Sequence, residues 1–239
     1  MVKLRNACIL KFKNELLLLP DKKILINTIN AHSYNVARHD LFFDEALRKG
    51  GALIPDGASI VLAFRFLRAE KIERIAGWDL FQFEMNLLNE KGGKCFFLGS
   101  SDKVLKLIVE KSKSIYPNIE VLAYSPPYKP EFTEKENQDM ISAVNQVNPD
   151  LLWIGMTAPK QEKWAYVHLD ELDVTCHIGT IGAVFDFFAG TAQRAPIWWQ
   201  EHGLEWLYRL IKEPKRMWRR YLIGNTLFLW NILKEKINT

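Results

Sequence analysis

From Ile24 onward, short apolar runs ending in Gly, Ser, Asn or Asp alternate with longer segments whose apolar residues recur at the period of a helix. The runs at 24–28, 52–55, 94–98, 119–123, 151–155 and 174–178 are too short for helices and lack the strict alternation of a half-solvated strand. They predict strands buried on both faces. The segments at 31–49, 60–68, 80–90, 103–115, 134–147 and 159–171 predict the helices between them. Such alternation specifies an α/β fold, a mostly parallel sheet flanked by helices. Asn148, Pro149 and Asp150 close one helix before LLWIG, and Thr133 with Glu136 has the spacing of a capping box. Residues 125–131, SPPYKPE, read as a loop, because three prolines remove donors and fix φ.

The pattern changes after Arg194. Residues 194–239 carry nine Lys or Arg against four Glu, a net of +5. The whole chain is +4, so the first 193 residues carry −1. Five of the eight tryptophans, at 198, 199, 206, 218 and 230, fall in this last fifth. Cations beside Trp and Tyr suit a bilayer interface; they equally suit a helical appendage packed on the sheet or on a sister subunit. Composition leaves both open, and a homo-oligomer with them. The longest uncharged run there, 221–233, is thirteen residues, about 20 Å of helix, too short to span a bilayer. Lys11, Lys13 and Glu15 interrupt the first apolar stretch, so no signal peptide is expected. The excess charge is too small to point to a nucleic-acid partner. Three scattered cysteines, Cys8, Cys95 and Cys176, fit a reducing cytoplasm.

In an open α/β sheet the ligand crevice lies beyond the carboxyl ends of the strands. Polar residues directly after each run are therefore the candidates. INTINAH offers Thr28 and Asn30, which also suit a strand and a helix cap. IPDGAS sets Asp56 before Gly57, as a plain turn or as a carboxylate able to act as a general base. Arg74 and Asp79 frame Gly77 in RIAGWD. FFLGSS places Gly99, Ser100 and Ser101 where backbone N–H groups could hold a phosphate, or where Ser100 simply caps the next helix. Neither G-x-G-x-x-G nor G-x-x-x-x-G-K-[ST] occurs. In WIGMTAPKQE, Pro159 suits the first turn of a helix and puts the Gln161 amide near its amino end, available to a ligand. HIGTIGAVFDFFAG surrounds one acid, Asp186, with apolar residues, so that acid must be paired, capping or bound. There is no D-x-D pair, and the five histidines show no ligand spacing; neither metal nor cofactor is expected.

Taken in order, these segments resemble the WecG/TagA/CpsF family of bacterial glycosyltransferases, glycosyltransferase family 26. The matching pieces are TINA at 28–31, PDG at 55–57, the stretch 74–79, FLG at 97–99, Tyr116-Pro117, residues 155–162, residues 182–190, RAP at 194–196, and GLEWLYRLIKEPKRMWRRY at 203–221. They cover nearly everything from Ile24 to Tyr221. Thr157 departs from the pattern, since many relatives have Gly there.

The resemblance implies a Rossmann-like core, residues 1–193, and a membrane-associating appendage, residues 194–239. It implies inverting, metal-independent transfer of a hexose-type sugar from a UDP-sugar to a polyprenyl-diphosphate-linked sugar at the inner face of the cytoplasmic membrane. On this resemblance Asp56 is the base, with Thr28 beside it, and Arg74 and Gln161 match residues implicated in activity. Asn30, Gly99, Ser100, Gly155, Lys160, Gly182 and Asp186 are expected at the nucleotide sugar. Arg194, Arg209, Arg216 and Arg219 or Arg220 are expected at the diphosphate or lipid. The alternative is a non-catalytic UDP-sugar-binding module whose tail docks a partner protein.

Overall fold

The computed structural model describes residues 3–238; residues 1, 2 and 239, the outer ends of the expected core and appendage, lie outside the described residues. Six strands, β1 (Ile24–Ile29), β2 (Gly51–Pro55), β3 (Gly93–Gly99), β4 (Ile119–Tyr124), β5 (Leu151–Gly155) and β6 (His177–Thr180), form one sheet in the order β2-β1-β6-β5-β3-β4. Every pairing is parallel. This is the expected Rossmann-like α/β fold.

Because side chains alternate across a strand, each run feeds two cores. Ile26, Phe97 and Trp153 face α4 (Gly77–Lys91), α5 (Asp102–Ile115) and α8 (Gly182–Ala189), where Phe81, Phe185 and Phe188 pack edge-on or tilted against them. Leu25, Leu98, Leu152 and Ile154 face α6 (Glu134–Val147) and α7 (Lys160–Val167). Ile29 and Leu53 meet α1 (Ala31–Ala37), α2 (Leu41–Lys49) and α3 (Ala58–Arg68) on that same side. Each buried side chain of this size contributes about 1.5–3 kcal/mol. The helices after β1 and β5 thus lie on one face and the helix after β6, the strand between them, on the other. Their divergence opens a crevice at the strands' carboxyl ends.

Several boundaries differ from the sequence reading, among them the start of α4, which comes at Gly77. The single helix expected at 31–49 is two, since the Asp40 carboxylate accepts the Phe43 N–H and starts α2 afresh. The helix expected at 159–171 stops at Val167, with His168 and Glu171 paired in the following turn at 2.6 Å. The last strand begins at His177, three residues later than expected, and α8 follows where no helix was expected.

After α8 come α9 (Ile197–Glu201), α10 (Glu205–Lys212), α11 (Pro214–Trp218), one π-helical turn (Arg219–Ile223) and α12 (Gly224–Ile237). Pro214 lacks an N–H and ends α10 while supplying the first residue of α11. α12 returns to the core. Phe228 and Ile232 join the core under α1 and α3, with the Phe228 ring edge-on to Tyr34 at 5.3 Å. The Glu235 carboxylate, 5% exposed, accepts from the Leu4 and Arg5 N–H groups and the Tyr34 hydroxyl at 3.0, 2.6 and 2.9 Å. Asn35 donates to the Gly224 carbonyl at 2.7 Å and accepts from Asn231 at 3.4 Å. Residues 197–223, by contrast, bury only Met217. Among the described residues no helix is long and apolar enough to cross a membrane.

Candidate active site

Asp56 leaves the end of β2 with its N–H bonded to the Ile29 carbonyl at 2.8 Å, which ties it to the end of β1. Gly57 follows at φ +118°, a conformation that excludes other side chains cheaply, so the chain turns sharply into α3 behind it. Asn30 caps α1 with its Oδ1, which accepts from the His32 and Ser33 N–H groups, and its side chain lies near enough to Asp56 to favour that acid's charged form. The Ile75 N–H bonds the Pro55 carbonyl at 3.0 Å, which brings Arg74 beside the same acid. Arg220 reaches it from the π-helical turn, and Glu205 from the first turn of α10.

These neighbours pull in opposite directions. Burial is the largest influence and pushes the Asp56 pKa above the usual carboxylate value; Glu205 pushes the same way, while Arg74, Arg220 and Asn30 pull it down. The net is a carboxyl of raised basicity at the mouth of the sheet. His32 stands beside Arg220; burial and that cation hold its pKa down at about 4, so its ring is neutral near pH 7.

The arginines are unequally satisfied. Arg74 Nη1 donates to Glu205 Oε2 at 3.0 Å, and Arg194 Nε lies 3.9 Å from Glu205 Oε1 with its guanidinium over Trp78. Arg209 lies over the Phe187 ring and Arg220 over Tyr221. The Nε atoms of Arg209 and Arg220 are buried and have no hydrogen-bond partner among the described residues. Burying an unpaired guanidinium donor costs roughly 1–3 kcal/mol, more when charged. Arg216 faces outward in a pair with Glu213 at 2.7 Å, and Arg219 lies exposed on Trp218. Of the pair left open by the sequence, Arg220 is therefore the inward one.

The remaining candidates gather at the ends of β3, β5 and β6. Gln161 Oε1 accepts the Met156 N–H at 3.2 Å, and its Nε2 donates to Glu162 at 2.9 Å. The amide expected to be available to a ligand is thus largely held by the protein. A Cβ on Gly182 would lie 2.8 Å from that Oε1, so Gly182 makes room for Gln161. Glu162 is 1% exposed with Oε2 unpartnered, and burial raises its pKa to about 7. Gly99 and Gly155 pack backbone to backbone, and Phe185 covers Gly155. The Ser100 N–H donates to the Gly155 carbonyl at 2.9 Å, and the cap of α5 is Ser101, not Ser100. Ser100 instead adopts φ +58° in the turn before it. Lys160 donates to the Lys129 carbonyl at 2.5 Å and sits 3.4 Å from the Phe132 ring centre, fastening the proline-rich loop. Asp186 is paired, accepting from the Thr191 hydroxyl at 3.2 Å. Thr28 joins the two groups of residues: its methyl and those of Ile181 and Val184 all border Gly77.

Two open surface depressions, of about 570 and 360 Å³, lie elsewhere, along α5 and between the N-terminal segment and Arg68. The first is lined by Asp102, Lys106 and Glu110, charges at i, i+4 spacing on a solvated helix face, without converging groups. Among the described residues no three His, Cys, Asp or Glu side chains gather as a metal site.

The profile of the glycosyl transferase WecG/TagA/CpsF family matches residues 9–239. The chain belongs to that family. It is 32% identical to an N-acetylglucosaminyldiphosphoundecaprenol N-acetyl-beta-D-mannosaminyltransferase of Bacillus subtilis strain 168, over 91% of this chain and 83% of the relative. Proteins of the same name from Bacillus spizizenii and Staphylococcus aureus strain MW2 are 30% and 27% identical, over 84% and 89% of this chain and 76% and 81% of theirs. Within this glycosyl transferase, Thr157 has φ +74°, where a glycine would be unstrained. Three residues of the cluster escaped the sequence reading as site candidates: Glu205, His32 and Glu162. Glu205 and Glu162 lie inside matched segments, which was the available signal; nothing marked His32.

Proposed function

We propose that the protein is an inverting, metal-independent glycosyltransferase that moves a hexose-type sugar from a UDP-sugar to a polyprenyl-diphosphate-linked acceptor in wall-polymer or surface-polysaccharide synthesis. The single observation that carries this reading is the meeting of one basic carboxyl, Asp56, with Arg74, Arg194 and Arg220, with Arg209 beside Arg220; the buried Nε donors of Arg209 and Arg220 lack partners among the described residues. The relatives' names supply the acceptor chemistry, a diphosphate-linked lipid carrying N-acetylglucosamine.

In the reaction, an acceptor hydroxyl attacks the anomeric carbon from the face opposite the nucleotide. Asp56 takes the hydroxyl proton as the new C–O bond forms. The bond from the anomeric carbon to the diphosphate oxygen breaks, and its electron pair leaves on UDP. Oriented guanidinium donors act most strongly where that charge develops. Thr28 and Gln161 border the crevice between these groups.

A lipid-linked acceptor also gives a role to the outer surface of residues 197–223. Trp198, Ile211, Trp218, Leu222 and Ile223 are exposed there, among Lys215, Arg216 and Arg219. Aromatic and aliphatic side chains ringed by cations suit the anionic inner leaflet, each cation contributing about 1 kcal/mol near the surface. Peripheral attachment at the cytoplasmic face and an appendage beginning near Arg194 are part of the same proposal.

The test is transfer of labelled sugar from UDP-N-acetylmannosamine and other UDP-sugars to a synthetic N-acetylglucosaminyl-diphosphate-polyprenol, with and without a chelator. Lipid-linked product and released UDP, unaffected by the chelator, are expected. UDP binding without transfer to any acceptor would favour the non-catalytic module instead.

A further inference from the structure

Among the described residues, Glu205 is the acidic side chain of the C-terminal helices that acts on Asp56. It is 131 residues from Arg74 in sequence and lies on α10, whereas both arginines it contacts lie between helices. Its two oxygens are divided: Oε2 takes Arg74 Nη1 at 3.0 Å, and Oε1 faces Arg194 Nε at 3.9 Å. All three side chains are about one-fifth exposed, so the contacts are screened less than surface pairs. Arg74 comes from the core loop held to β2, Arg194 from the chain leading into α9, and Glu205 from α10. One carboxylate therefore joins three segments of the chain.

We propose that Glu205 is a positioning residue that holds Arg74 and Arg194 around Asp56. This rests on the glycosyltransferase reading above. An arginine left to itself in this crevice would swing onto the Asp56 carboxylate and neutralise the base; tied to Glu205, Arg74 keeps its distance and its orientation.

The charge balance supports the geometry. The groups that face Asp56 are Arg74, Arg220, Asn30 and Glu205, with Arg194 and its neighbour Asp79 beyond. His32 lies beside Arg220 but is neutral. Glu205 is the negative charge opposing those cations, and it raises the basicity of Asp56. A stronger base draws a proton more effectively at neutral pH. Without Glu205, Asp56 would stay ionised to lower pH but take the proton less well.

The experiment uses the full chain with Glu205→Gln, Glu205→Asp and, as a charge-matched control, Glu201→Gln on the exposed end of α9. Transfer is followed across pH 5–9 with the donor and lipid acceptor named above. Hydrogen exchange is followed at residues 73–77 and 205–212, a readout independent of turnover, and melting confirms folding. The Gln variant is expected to lose roughly tenfold in kcat with donor KM within about twofold, and its acidic limb moves to lower pH. Exchange quickens in both segments, the Asp variant recovers part of the loss, and the control matches the parent. A Gln variant with parental kcat, acidic limb and exchange overturns the proposal. So does one that turns over faster, which would make Glu205 an obstacle the diphosphate displaces. If the parent protein transfers no sugar, the functional reading fails, while the exchange data still decide whether Glu205 joins the segments.

Discussion

The C-terminal helices meet the core through two polar clusters built on opposite principles. Around Glu235, the carboxylate receives two backbone N–H groups and a tyrosine hydroxyl, and Asn35 and Asn231 bond each other and the backbone. Around Asp56, arginines outnumber acids, and two buried arginine donors nearby have no partner among the described residues. The first cluster is complete without a ligand. The second carries surplus positive charge that only an incoming anion can use. Saturation marks architecture, and an unspent donor marks the site.

The difference can be broken at either end. Asp56→Asn keeps the shape and removes the base. Transfer should fall by about 10²–10⁴, while melting stays level or rises because a carboxyl disfavoured by burial is gone; UDP affinity, read by calorimetry, should persist. Glu235→Ala strands three donors and should cost about 3–5 kcal/mol of unfolding free energy in denaturant titration. Activity lost with it should return under conditions that keep the variant folded, which separates the anchor from the chemistry.

Glu162 lies between the two cases, with one oxygen bonded to Gln161 and the other alone. Its pKa is raised from 4.5 to about 7, so between those values the folded state holds a proton that the unfolded state has released. Its contribution therefore favours folding at low pH and is lost as pH rises through that window, by roughly 3 kcal/mol. Glu162→Gln should flatten this fall, seen by comparing unfolding at pH 5 and pH 8. Arg220→Met is the finest test. Removing a cation whose buried Nε has no partner among the described residues should leave stability unchanged or slightly higher, yet lower kcat about a hundredfold. A large loss of stability instead would mean that Arg220 is architectural after all.

Much of this was legible in the residues. The strands stood out because each is a short apolar run on both faces, and Asp56 because it follows such a run and precedes a glycine. The break at Asp40 was hidden because apolar spacing continues from Val36 through Phe43, so only a side-chain cap separates the helices. α8 was hidden because Val184, Phe185, Phe187 and Phe188 give it no polar stripe from which to read a period. Gly99 read as part of a phosphate cradle and Gly155 and Gly182 as nucleotide-sugar positions by resemblance, but close packing accounts for their size. Glu205 lay inside a matched segment, but its partners are set by how distant segments dock, which no local pattern encodes.

The π-helical turn at Arg219–Ile223 acts as a phase adjuster between those two clusters. Each residue of a helix advances its direction by about 100°, so the wider turn rotates everything after it relative to everything before. That offset lets Arg220 aim inward toward the acid while Phe228 and Glu235, about two and four turns on, aim at α1 and the N-terminal segment. The chain length across this stretch is accordingly fixed to a fraction of a turn, even where the side chains on its outer surface are free to vary.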